Sequence, residues 1–84
     1  MKAINYAKRI KKNQSTSIHE VELLSKAMHR EKLLSEKFEL SFMPLYGTLR
    51  FVNSDYFLTG ILTFEEKVTI DDVIRRIENI EKLL

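Results

Sequence analysis

Residues 38–64 read FELSFMPLYGTLRFVNSDYFLTGILTF, and the fold turns on how this stretch is read. It holds all five phenylalanines, two of the three tyrosines, both glycines and the only proline of the 84-residue chain. Aromatic and β-branched residues alternate with polar ones here, the period of a pleated strand rather than a helix. Phe38, Leu40 and Phe42 fall on one face, with Glu39 and Ser41 on the other. Pro44 cannot donate to a ladder and ends that strand, so Leu45-Tyr46-Gly47 turns the chain. Leu49 and Phe51 then alternate with Thr48, Arg50 and Val52, and Asn53-Ser54-Asp55 supplies a second turn. Tyr56–Phe64 is expected to be the longest strand, with Gly60 marking a bulge or a close backbone approach. Glu65-Glu66-Lys67 reads as a charged connection.

Hairpin parity decides which residues share a face. An even loop sets Leu49 and Phe51 beside Tyr56, Leu58 and Leu62; an odd loop sets them beside Phe57 and Ile61. The even loop assembles the larger apolar face, together with Phe38, Leu40 and Phe42, and is the expectation. The second face then carries Glu39, Ser41, Thr48, Arg50, Val52, Phe57, Thr59, Ile61 and Thr63. Around Phe57 and Ile61 it is too apolar to stay wet, so the first helix or a second subunit is expected to cover it.

The flanks have helical spacing. Over residues 2–12, Ala3, Ile4, Ala7 and Ile10 form one apolar arc with Tyr6 at its edge, and Lys2, Lys8, Arg9, Lys11 and Lys12 line the rest. Ser17-Ile18-His19-Glu20 matches a capping box and opens a helix expected to run to about Glu36. Val21, Leu23, Leu24, Ala27, Met28 and Leu34 share its broad apolar face. Glu31 falls inside that face and needs a partner there, Arg50 or Arg75, or a place at the edge. His19 and His29 point to the polar side, ten residues apart, which is not the spacing of two ligands on one helix face.

Thr69 caps the last helix, with Asp71 and Asp72 in the first turn, where carboxylates favour the positive end of the helix dipole. Ile70, Val73, Ile77, Ile80 and Leu84 then recur at spacings of three, four, three and four. Such a seam packs the helix on its own sheet or on a second subunit; it is too short for a coiled coil. The order helix, helix, three strands, helix predicts a single α+β domain over residues 1–84, an antiparallel meander with helices packed against it.

Composition bounds the function. The chain is 44% hydrophobic and 31% charged, a globular balance, and a chain of this length buries only about 60–65% of its unfolded surface. A core that small often leans on a second subunit, so a homodimer is expected. The absence of cysteine excludes disulfides, thiolate catalysis and cysteine-ligated zinc. No apolar run reaches the roughly 20 residues of a membrane helix, and the first residues lack a secretory core, so the expected compartment is the cytoplasm. The net charge of +2 divides unevenly. Residues 1–19 carry five basic and no acidic side chains, while the rest carries nine basic and twelve acidic ones, giving +5 and −3.

Phosphate loops, zinc and calcium spacings and nucleophile elbows are missing, so neither a cofactor nor a metal is expected, and an enzyme is not. Two readings follow. The first is a small interaction protein, a regulator, inhibitor or assembly factor, that docks on another protein through Arg50, Phe57, Ile61, Ile77, Ile80 and Leu84. The second is a nucleic-acid-binding protein whose first helix lays Lys2, Lys8, Arg9, Lys11 and Lys12 on phosphates.

Overall fold

The structure, a computed structural model, describes residues 1–13, 16–53 and 65–83. In order these form α1 (Ala3–Asn13), α2 (Ile18–Arg30), β1 (Phe38–Met43), β2 (Thr48–Asn53), β3 (Glu65–Val68) and α3 (Ile70–Leu83). The strands make an antiparallel sheet in the order β1-β2-β3. The expected α+β meander with its flanking helices is therefore the observed fold.

Register explains the two sheet faces. Leu40 pairs with Phe51, Phe42 with Leu49, and Leu49 in turn with Val68. Residues directly opposite one another point the same way, so Leu40, Leu49, Phe51 and Val68 line one face. All four are buried in a single core cluster with Val21, Leu24 and Met28 of α2 and Val73 and Ile77 of α3. The other face carries Glu39, Ser41, Arg50, Val52 and Lys67, of which Val52 is buried. Between β1 and β2 the turn starts at Pro44 as expected, with Tyr46 N–H donating to Met43 O at 3.1 Å. Gly47 closes it at φ 63°, a backbone angle at which a side chain is strained.

Four expectations need correction. The second helix stops at Arg30 rather than near Glu36. Leu33 N–H donates to Met28 O at 2.8 Å and Lys32 N–H to His29 O at 3.1 Å, the two bonds of a Schellman stop. Lys32 takes the left-handed position (φ 60°) where glycine is usual, and Leu33 is buried just beyond it. The gain from burying Leu33 and satisfying the last carbonyls outweighs the local strain of a lysine there, so the stop leaves no glycine in the sequence to find it by.

Secondly, Glu65–Val68 is a strand and not a connection. Its charges are accommodated because Glu66 meets Arg76 of α3 at 2.8 Å while Val68 enters the core. The expected strand Tyr56–Phe64, with Gly60 and the hairpin parity, lies outside the described residues.

Thirdly, α1 does not cover the second sheet face. It packs against both α2 and α3. Its start meets the end of α2, through Ala3 and Glu31, and its end meets the start of α3, through Lys11 and Asp71, so it runs antiparallel to both. Ala3 and Ala7 are wholly buried there, and their small side chains let the helix axes approach closely. Finally, the seam of α3 faces α1 as well as the sheet. Val73 and Ile77 are wholly buried, whereas Ile70 and Ile80 are partly so.

The helix starts follow the sequence. Ser17 Oγ accepts from Glu20 N–H at 3.2 Å. At α3 the box is complete in both directions: Thr69 Oγ1 accepts from Asp72 N–H at 3.1 Å, and Asp72 Oδ2 accepts from Thr69 N–H at 3.0 Å.

Candidate functional site

No helix among the described residues is long and apolar enough to cross a membrane. Nor does any group of three or more His, Asp or Glu among them gather as a metal site. The candidate functional features are surfaces, and four can be compared.

The outer face of α1 is the first. Ala3, Ala7 and Ile10 point inward, so helical geometry turns Asn5, Lys8, Arg9 and Lys12 outward, and all four are exposed. The five expected basic residues do not behave alike. Lys11 pairs with Asp71 at 2.7 Å, and Lys2 borders a cavity with Glu31 and Glu81. Lys8, Arg9 and Lys12 have no carboxylate partner among the described residues. The Arg9 guanidinium sits 5.8 Å from the Tyr6 ring centroid and donates to Met1 Sδ at 3.3 Å. Lys8, Arg9 and Lys12 thus form an exposed stripe of three cations, set apart from the Lys11–Asp71 pair.

The end of α3 is the second. Ile77 is spent inside the chain's own core, and Ile80 is half-buried beside it. Leu83 at the same end is exposed. Leu84, Phe57 and Ile61 lie outside the described residues. Asp72 in the first turn of α3 has its carboxyl held below the ordinary range. The Thr69 backbone N–H is the main cause, followed by the Thr69 hydroxyl, with Arg75 and Arg76 adding to it.

The β1–β2 hairpin tip is the third, and sequence reasoning treated it only as a turn. Leu45 is 85% exposed and Tyr46 64% exposed. The Arg50 guanidinium lies 5.7 Å from the Tyr46 ring centroid, so the expected interface arginine stands behind the tip. A signal was present: Pro44 and Gly47 both demand a turn, and a turn places the two residues between them in solvent. Apolar side chains there are unusual, because tips favour small and polar residues.

The fourth is the groove between α2 and β1, about 270 Å³ in volume and lined by Ile18, Glu22, Lys26, Leu40 and Phe42 among others. Ser25 sits at its floor. The buried Ser25 hydroxyl accepts from Leu40 N–H at 3.1 Å and donates to Glu39 Oε2 at 2.9 Å. His29 was expected on a free polar face; instead it is half-buried, and its Nε2 donates to Phe38 O at 2.6 Å. A carbonyl can only accept, so the proton is on Nε2, and Nδ1 faces Glu39 at 3.9 Å. His19 is exposed.

Glu31 resolves differently from either arginine pairing. Its Oε2 accepts from Ala3 N–H at 2.6 Å, across 28 residues. The start of α1 has no acidic residue of its own, so a carboxylate from the end of α2 caps it. Periodicity placed Glu31 correctly toward the interior but could not reveal a backbone partner on another helix. No protein family, curated protein or solved structure matches the chain.

Proposed function

We propose that the protein acts by docking on another protein, as a regulator, inhibitor or assembly factor, through the tip of the β1–β2 hairpin. The observation that supports this is the exposure of Leu45 and Tyr46 with Arg50 behind them. Tyrosine and arginine dominate binding energy at protein interfaces, and apolar side chains on a hairpin tip present contact area at little ordering cost. The test compares proteins captured by the original chain and by a Leu45→Ser/Tyr46→Ser variant. Both residues are exposed, so the variant keeps its fold. The expected partner is identified with the original chain and lost with the variant; a partner set identical for both sinks this reading. A second copy of the chain remains the simplest partner, and Ile80 with the exposed Leu83 offers it apolar surface. Light scattering at micromolar concentration gives the mass directly, and a monomer that persists at high concentration removes the homodimer.

A second reading, nucleic-acid binding by α1, draws support from the stripe of Lys8, Arg9 and Lys12. Three phosphate contacts imply a log–log salt slope of about −2.7 on duplex DNA. Lys8→Gln/Arg9→Gln/Lys12→Gln should abolish that binding. If the original chain does not bind mixed-sequence DNA or RNA at low salt, this reading is rejected.

A further inference from the structure

Helix α1 forms a ridge on the molecule. It rests on α2 and α3 through the buried Ala3, Ala7 and Ile10, with Ile4 and Tyr6 half-buried along its flanks. The rest of its circumference is exposed, and the first acidic residue of the chain is Glu20, beyond the helix. At 3.6 residues per turn, Asn5 and Lys12 stand on the crest opposite the buried line, with Lys8 and Arg9 roughly 50° to either side. An uncharged amide therefore shares the crest with a cation, and each slope carries one more. Arg9 keeps donors to spare: a guanidinium has five, and one N–H donates to Met1 Sδ.

We infer that α1 enters the major groove of duplex DNA, with Lys8, Arg9 and Lys12 on phosphates and the Asn5 amide toward the base edges. A helix with its side chains is about 10–12 Å across, and the groove is about 12 Å wide. Cations on both slopes reach both walls of the groove, and Lys12, in the last turn, meets the backbone where the groove curves away from the straight helix. Asn5 lies nearer the start of the helix, and its amide both donates and accepts, as the major-groove edge of adenine requires. Other polyanions fit this ridge less well. The major groove of duplex RNA is too deep and narrow for a helix to read. Single strands are held by aromatic stacking, and Tyr6, the only aromatic side chain of α1, is half-buried with Arg9 against its ring. An anionic membrane takes up a helix by its apolar face, and that of α1 is spent on α2 and α3.

This inference deepens the nucleic-acid reading and rests on it; its surface is separate from the hairpin tip, so either can fail alone. The test follows fluorescence anisotropy at low salt as the full chain is added to a labelled mixed-sequence DNA duplex, to the RNA duplex of the same sequence, and to each DNA strand alone. The DNA duplex should bind about tenfold more tightly than the other probes. Bulky groups on the cytosine and thymine C5 atoms, which fill the major groove, should weaken binding about tenfold, and bound chain should protect guanine N7 from dimethyl sulfate. Asn5→Ala, an exposed change, should lower the ratio of A·T to G·C duplex affinity several-fold while the salt slope stays the same. Absence of binding to every probe rejects this inference together with the nucleic-acid reading. Equal binding to duplex DNA, duplex RNA and single strands, or binding that a filled groove leaves intact, overturns the groove and leaves nucleic-acid binding by α1 standing. An unchanged A·T to G·C ratio in the variant overturns the placement of Asn5.

Discussion

The two terminal helices, α1 and α3, look like variants of one design and are used differently. Each has an apolar stripe and a charged back. In α3 the stripe is made of large side chains, and Val73 and Ile77 fill the core. In α1 half of it, Ala3 and Ala7 beside Ile4 and Ile10, is alanine, the smallest apolar side chain. Yet Ala3 and Ala7 are as completely buried as Ile77, because α1 lies against both other helices. Large residues fill a space, and small residues permit a close approach. Burial follows from either, so the size of an apolar stripe does not measure how central its helix is.

The comparison can be broken at its strong end. Ile77→Ala should destabilise the chain by about 2–5 kcal/mol, because a wholly buried side chain leaves a cavity behind. Denaturant unfolding measures this, and a loss below about 1 kcal/mol would mean that α3 is the loosely packed helix. The matching test on α1 adds volume: Ala7→Leu should cost about 1–3 kcal/mol by overpacking. If α1 were an arm, the same change would be neutral or stabilising.

Smaller effects sharpen the contrast at the helix ends. Glu31→Ala removes the carboxylate that accepts from Ala3 N–H and should cost about 1–3 kcal/mol, with faster amide exchange at Ala3. Thr69→Ala should cost about 0.5–2 kcal/mol at the start of α3. The Asp72 carboxyl adds a pH signature. Its ionised form is favoured in the folded chain, so its contribution is complete above the ordinary carboxylate range and is lost as pH falls through its lowered value. The stability gap between the original chain and Asp72→Asn should therefore narrow on acidification from about pH 5. A gap that widens would contradict the assigned hydrogen bonds. Least of all, neutralising Lys8, Arg9 and Lys12 should change stability by no more than about 0.5 kcal/mol, since these side chains touch no carboxylate among the described residues.

Much of this architecture is written in local pattern. Alternation over Phe38–Phe42 and Thr48–Val52, the turn chemistry of Pro44 and Gly47, and the boxes at Ser17 and Thr69 each depend on neighbours in sequence. What escaped the sequence depends on distant partners. Glu65–Val68 has the composition of a loop and becomes a strand because β2 offers an edge and Arg76 offers a charge. Lys32 ends α2 without a glycine because Leu33 finds a place in the core. Glu31 finds a backbone N–H on α1. The candidate surfaces were legible only in part: the basic residues of α1 were named, but the pairing that sets Lys11 apart from Lys8, Arg9 and Lys12 came from Asp71 on α3. The hairpin tip was visible as a turn and not as a surface.

Ser25 has a role beyond its two hydrogen bonds. The hydroxyl meets the N–H of Leu40 and no other rung of β1. If that strand slid by one residue, a group facing β2 would arrive opposite the serine, and Leu40 would turn from the core to the other face. The slipped pairing would thus lose the serine's bond and the leucine's burial together. One small hydroxyl on a helix therefore discriminates between strand alignments, because only the native one gives it a backbone N–H to accept from.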